Sequence, residues 1–332
     1  EGGAWRGRAL READVKPGHV YLVGTPIGNL GDISLRALQT LESCDVILAE
    51  DTRRATQLLS AYGIARRGKE VLSYHAHNAA ARAPAVLERL AAGARVALVS
   101  DAGMPAVSDP GAELVAAMCD AQAGGRGVVN GSGGEGAVAA IAVPAAVPVV
   151  PVPGASAVLA ALAASGFSAE RSAFEFAGFL PAKRGERREA LKVFASRSHP
   201  VVAFAPPHKL AAMLEDAAAE LGEARRVVVA RELTKRFEEL WRGTLAEACE
   251  AFGDGARGEV TLVFDSAPAG TGEADGGGTV DDHALELLVR VALDGGEKVS
   301  ALSRRIAKEA GVTRSRVYDL ALTLQAEREE QA

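Results

Sequence analysis

Four-residue apolar runs recur along the first half of the chain. Each is followed by a stretch whose apolar residues repeat at helical spacing. Residues 20–23 (VYLV) lead to a helix near 34–43, for which Asp32 is the expected N-cap. Residues 46–49 lead to TRRATQLLSAYG, with Gly63 as a helix stop. Residues 71–74 precede a helix across 80–92, residues 96–99 precede a loop and a helix after Gly111, and residues 147–152 precede a helix after Gly154. Continuous apolar strands suit a sheet buried on both faces. Five such strand–helix units predict an α/β fold with a mostly parallel, doubly wound sheet.

The rhythm breaks over residues 120–146, where GGRGVVNGSGGEGAVAAIAVPAA is Gly/Ala-rich and reads as a surface insertion. A second unit begins near Glu170. Its strand candidates are 174–179, 201–205, 227–232, 238–242 and 259–265, with helices near 187–197, 208–221 and 245–252. The strand-to-strand step around RELTKRFEELWRG predicts a partly antiparallel second sheet. The expected divisions are a first α/β domain over 18–168, a second over 169–265, a Gly-rich linker over 266–279 and a helical unit over 280–329. In that unit KEAGVTRSRVYDLAL has the Gly turn and apolar spacing of a helix-turn-helix-like element.

Composition narrows the classes. The 332 residues are 48% hydrophobic, 24% charged and only 5% aromatic, which suits closely packed α/β layers. A net charge of −6 argues against a general polyanion binder, so any nucleic-acid contact needs local basic patches. Cys44, Cys119 and Cys249 are far apart, and no CxxC occurs, so neither a disulfide framework nor a zinc knuckle is expected. Residues 136–169 carry no charge and are long enough to span a bilayer, but Pro144, Pro148, Pro151 and Pro153 interrupt them. No membrane segment is expected. Residues 1–17 lack the apolar core of a signal peptide and read as disordered or as the remnant of a transit peptide.

The candidate chemistry sits in loops that follow strands. VGTPIGNLGD lacks both the GxGxxG of a dinucleotide fold and the lysine of a P-loop. SDAGMPAVSDPG carries Asp101 and Asp109 on a course fixed by glycine and proline, and PGASA and EDTR occupy equivalent places. Open α/β sheets bind ligands at such carboxyl edges. Small residues, backbone amides and carboxylates suit a compact zwitterionic or cationic ligand better than a polyphosphate. His75 and His77 form an HxH at a strand end, and no third metal ligand accompanies them. No metal is expected.

TPIGNLGDISLRAL, AEDTRRA, HAHN, SDAGMPAVSDPG, VVPVPGASA, GFLPAK and RELTKRFEE occur in that order. Together they resemble the small-subunit ribosomal RNA 2′-O-ribose methyltransferase I family, of the tetrapyrrole-methylase-like class. The chain departs from the family pattern at Met104, where threonine is usual, at FAPPHK and in the long insertion. The resemblance implies a two-domain fold with S-adenosylmethionine in the cleft between the domains. Pro26 would pack near the methionine part, and Ser100, Asp101 and Ala102 would lie along the ligand. Gly103 would allow close approach, Ser156 and Ala157 would add contacts, and Ala205 and Glu232 would close the site. The reaction implied is attack by the ribose 2′-hydroxyl of a cytidine in the decoding region on the sulfonium methyl group. Asp101 and Glu232 are the carboxylates to test as its base, the equally open alternative being that they only accept hydrogen bonds from the cofactor.

The implied partner is small-subunit rRNA or the small ribosomal subunit, and the expected assembly is a homodimer. Candidate RNA contacts are Arg53, His77 and Lys235 beside the strand ends, and Lys183, Arg184, Arg187 and Arg188 after GFLP. Arg304, Arg305, Arg314 and Arg316 in the tail complete them. A solvated helix face is the plainer reading of such runs. The expected location is the cytoplasm for a bacterial chain. For a nuclear-encoded one, which the missing Met and the insertion suggest, it is a plastid or the mitochondrial matrix. Rival readings are a methyltransferase of this fold acting on a tetrapyrrole or a protein, and a non-catalytic ribosome-binding factor.

Overall fold

A computed structural model describes residues 13–109, 111–122, 128–129, 141–142, 147–167, 173–267, 282–310, 312 and 314–331. The chain divides into two compact units, Glu1–Ser266 and Ala267–Ala332. Among the described residues no helix is long and apolar enough to cross a membrane.

The first unit opens with β1 (Val20–Val23), α1 (Leu35–Ser43), β2 (Val46–Ala49), α2 (Thr52–Ala61), β3 (Glu70–Ser73), α3 (Ala79–Ala91), β4 (Val96–Val99) and α4 (Ala112–Gln122). Two short antiparallel strands follow, β5 (Val128–Val129) and β6 (Ile141–Ala142), then β7 (Val149–Val152) and α5 (Ala157–Ser165). The rest of the insertion at 120–146 lies outside the described residues, as do residues 1–12 and most of the linker.

The first sheet is parallel throughout, in the order β3-β2-β4-β1-β7. Successive side chains of a strand point to opposite faces. Val20, Leu48 and Leu98 therefore pack with α3 and α4, while Tyr21, Ile47 and Ala97 pack with α1 and α2. Both faces are covered, which explains the unbroken apolar runs. The N-cap of α1 is Ser34, whose Oγ accepts the Ala37 N–H at 3.1 Å. Asp32, expected in that role, ends a short 3-10 turn at Leu30–Asp32 instead.

The second half of this unit contains β8 (Glu175–Phe179), α6 (Arg184–Ala195), β9 (Val201–Ala205), α7 (Leu210–Leu221), β10 (Arg226–Arg231), β11 (Glu239–Thr244), α8 (Leu245–Ala251) and β12 (Val260–Phe264). Its sheet runs β11-β10-β12-β9-β8, with only the β8–β9 pair parallel. One face packs under α6, α7 and α8. The other meets α5 and Ile27, so Val158 and Ala161 of the first half share a core with Val202, Val228 and Val263 of the second.

The second unit consists of α9 (Asp282–Asp294), α10 (Val299–Ala310) and α11 (Arg314–Gln331). Leu285, Val289, Leu302, Ile306, Val317 and Leu324 form a core of its own.

Candidate active site

The strand order decides where the informative loops meet. β4, β1 and β7 are neighbours, and β2 flanks β4. The loops after all four therefore share one edge of the sheet. Backbone contacts join three of them. Thr25 N–H donates to Gly103 O at 2.9 Å, and Gly103 N–H donates to Thr25 O at 3.2 Å. Gly103 adopts φ 83°, a left-handed conformation natural to glycine. Gly24 lies against Gly154, so closely that a Cβ on Gly24 would sit 2.7 Å from the Gly154 Cα. Met104, where the family pattern has threonine, lays its sulfur beside Gly24.

A cleft of about 430 Å³ opens beside these loops, walled by Pro26, Ser100, Asp101, Arg54, Lys235 and Glu259 among others. Asp101 is fixed by the Asp51 N–H, which donates to its Oδ1 at 3.2 Å, and by Arg54, 3.3 Å from its Oδ2. Ser100 turns its hydroxyl inward to the carbonyls of Ala102 and Gly103, both at 3.2 Å. Two more carboxyls crowd this edge. Burial, then the charge of Glu50, pushes Asp109 up to about 6, against the pull of a hydrogen bond from Ser100. Burial and the charge of Asp101 likewise raise Glu50. An edge this rich in carboxylates favours a cationic ligand.

The second half contributes the RELTK turn. Glu232 and Thr234 adopt φ 51° and 68°, and Ala106 and Ser108 in the loop after β4 adopt 66° and 58°. These are the non-glycine residues with left-handed backbone among the described residues. Such conformations cost about 1–3 kcal/mol each and persist where surrounding contacts impose them. Here the contacts are visible. The Glu232 N–H donates to Glu259 O at 2.9 Å, the Glu259 N–H donates to the Glu232 carboxylate at 2.8 Å, and the Thr234 N–H donates to Glu238 at 2.6 Å. Lys235 Nζ lies 2.8 Å from Glu232 and 3.1 Å from Glu259, and its stem packs on Gly28 of the first loop. The Lys235 hydrogen bond, then the Glu259 N–H, hold the Glu232 carboxyl below its usual range.

The other expected residues divide. Ser156 caps α5, with its Oγ accepting from Leu159 N–H at 3.4 Å, and Ala157 begins that helix at the shared core. Ala205 needs a correction: its side chain is buried under α6–α8, on the far face of the sheet, so only its backbone can serve the cleft. Arg187 needs a larger one. It is 4% exposed, and its guanidinium donates to Asp216 at 2.8 and 2.5 Å and to the carbonyls of Pro181 and Ala182. It ties the β8–α6 loop to α7 and cannot meet a phosphate. Lys183 and Arg184 are exposed, Arg184 also bonding Asp216 at 3.0 Å, and Arg188 pairs with Glu220. Arg53 is exposed and folds back on Asp51, at 2.8 Å.

His75 and His77 lie beyond the end of β3, in a turn rather than on a strand, with ring centroids 6.0 Å apart. Asn78 closes that turn by accepting the His75 N–H at 2.8 Å and donating to Ser73 O at 3.2 Å. Exposed His77 stays available. In the tail unit Arg304, Arg305, Arg314 and Arg316 are exposed, and Arg305 bridges Glu297 and Glu309 at 2.7 and 2.9 Å. Sequence reasoning passed over Arg54 and Glu259. Arg54 was findable inside AEDTRRA, in the first turn of a helix that starts at a strand end. Glu259 carries no local signal, because its partner Lys235 is distant in the chain.

Comparison with known proteins identifies the fold and the family. Residues 19–249 match the family model of the tetrapyrrole (corrin/porphyrin) methylases. The solved structure of the methyltransferase CobJ superposes with a TM-score of 0.54 at 20% identity, over 75% of this chain and 95% of that one, and shows the same fold. Among curated relatives, the ribosomal RNA small subunit methyltransferase I of Synechocystis is 38% identical over 311 residues, 93% of this chain and 99% of its own. The protein of that name from Neisseria meningitidis serogroup B is 40% identical over 309 residues, 92% of this chain and 94% of its own. The chain belongs to the ribosomal RNA small subunit methyltransferase I family, within the tetrapyrrole methylases.

Proposed function

We propose that the chain binds S-adenosylmethionine in the cleft and methylates the ribose 2′-hydroxyl of a cytidine in the decoding region of small-subunit rRNA. The joining of neighbouring loops, Thr25 to Gly103 and Gly24 to Gly154, is the observation that carries this reading. The residues fit the cofactor. The cleft has the size of a small-molecule site, Pro26 offers an apolar wall, and the carboxylate-rich edge suits a ligand with ammonium and sulfonium charges. Because Gly24 and Gly154 carry no Cβ, the loops after β1 and β7 meet backbone to backbone beside the cleft.

When bound, S-adenosylmethionine supplies a methyl group already activated by its positive sulfur. Alignment of the attacking hydroxyl can then provide much of the rate. Asp101, held by Asp51 and Arg54, is the carboxylate we assign to receive the hydroxyl proton. Glu232 is assigned a different task. Its depressed carboxyl positions Lys235, which lines the cleft and which we assign to an RNA phosphate. Assembly as a homodimer belongs to the same proposal, and the mass in solution tests it. The site of action is where small subunits are, in the cytoplasm or in an organelle matrix.

The test is to incubate small subunits lacking the modification with the protein and methyl-labelled S-adenosylmethionine. Label in the rRNA is expected. Label confined to protein, or none, would overturn the reading.

A further inference from the structure

Phe179 stands at an irregularity in β8, and its assigned role rests on the RNA reading above. In an unbroken β8 strand, alternation would place Phe179 on the face of Ala177, which packs under α6–α8. It does not lie there. The β8–β9 register runs Phe176 to Val202 and then Phe179 to Phe204, so β8 carries one extra residue between these pairs. This β-bulge is made possible by Gly178 at φ 66°. Its effect is to turn Phe179 out to 58% exposure and to let Leu180, 4% exposed, take the buried place.

Phe179 emerges on the cleft side of the sheet. Its ring centroid lies 5.1 Å from that of Phe204, which is itself 5.1 Å from Phe176. Phe204 and Phe176 pack against the core that contains Ile27, the residue after Pro26. A Cβ on Gly178 would meet Ser108 Oγ at 3.4 Å, which puts the bulge against the loop that carries Asp101. Exposed Lys183, the N-cap of α6, and Arg184, its first residue, follow in the chain. The combination is an outward aromatic ring, braced from behind by Phe204, at a bulge that meets the loop carrying Asp101, with Lys183 and Arg184 a few residues further along the chain.

We propose that Phe179 is the stacking platform for the nucleobase of the target nucleotide. An unstacked base needs a π-face when its ribose enters the cleft, and aromatic side chains supply it in single-stranded RNA recognition. Phe179 is thus a positioning residue that acts on the substrate and not on the cofactor.

The experiment compares wild type with Phe179→Leu, Phe179→Tyr and Phe179→Trp. Leucine keeps the apolar bulk and removes the π-face. For Phe179→Leu, KM for small subunits should rise about ten-fold, the size of one base–aromatic stack. Its S-adenosylhomocysteine affinity and Tm should match wild type, and tyrosine should restore KM to within about three-fold. In Phe179→Trp, a cytidine-containing single-stranded oligonucleotide should quench the new indole emission. An unchanged KM for Phe179→Leu would overturn the proposal, as would equal loss in Phe179→Leu and Phe179→Tyr. If wild type transfers no methyl group, the proposed function falls, and quenching alone decides the platform: its presence supports stacking, its absence overturns it.

Discussion

Gly24 and Gly154 touch backbone to backbone: a Cβ built on either would stand 2.7 Å from the other's Cα. The contact fixes the loop after β1 against the loop after β7. Gly154→Ala would force them apart, and overpacking of this kind costs about 1–3 kcal/mol. Denaturant unfolding should report that loss, and calorimetry should report weaker S-adenosylhomocysteine binding. Full stability with unchanged affinity would mean that the loops do not need this contact.

Asp101→Ala removes the acceptor of the Asp51 N–H and the partner of Arg54. Hydrogen bonds to charged groups are worth about 1.5–3 kcal/mol, so cofactor affinity or turnover should fall at least about ten-fold. Calorimetry and single-turnover rates separate the two. Unchanged values of both would reduce the loop to a connection between strand and helix.

Arg187→Ala would leave Asp216, 2% exposed, buried without its main partner. Breaking one side of a buried pair costs about 3–5 kcal/mol. The double substitution Arg187→Met, Asp216→Leu should recover most of that in denaturant melts. By contrast Lys183→Ala should change stability by less than about 0.5 kcal/mol and raise KM for subunits.

Asp109 gives the protein a pH signature. Its carboxyl is raised from 3.8 to about 6, so the folded chain holds this proton more tightly than the unfolded chain does. The resulting stability is fully present below the unfolded pKa and is lost as pH rises through the folded one. Asp109→Asn should therefore match wild type near pH 4 and exceed it above pH 6, by on the order of 1–2 kcal/mol. A gain that is the same at every pH would contradict the assignment.

The tail unit has its own core, so a chain ended at Ser266 should keep its Tm and its S-adenosylhomocysteine affinity. Turnover on small subunits should fall with the loss of Arg304, Arg305, Arg314 and Arg316. The loss should be largest at low salt, because phosphate contacts are screened as salt rises. Equal turnover at every salt concentration would remove the RNA-contact role.

The parallel sheet was legible because burial on both faces turns each strand into an apolar run, as in VYLV and VILA. The loops were legible because tight backbone approach demands Gly, Pro and small residues in fixed positions. Side-chain direction was not. A charge run such as KRGERR looks uniformly exposed, yet Arg187 points inward to an aspartate 29 residues away. Phe179 was hidden by a bulge that a single Gly178 makes possible, and Ala205 by the alternation of a strand whose faces only the tertiary structure distinguishes. Glu232 looked like a base, and the backbone of Glu259 makes it a clamp.

The most direct measurement uses the chemistry of the product. A 2′-O-methyl group blocks alkaline cleavage of the adjoining phosphodiester, whereas a base methyl group does not. Small-subunit rRNA labelled by the protein from methyl-labelled S-adenosylmethionine should therefore release its label on alkaline hydrolysis as a resistant dinucleotide whose 5′ residue is cytidine. Label recovered in mononucleotides would place the methyl group on a base and contradict the account.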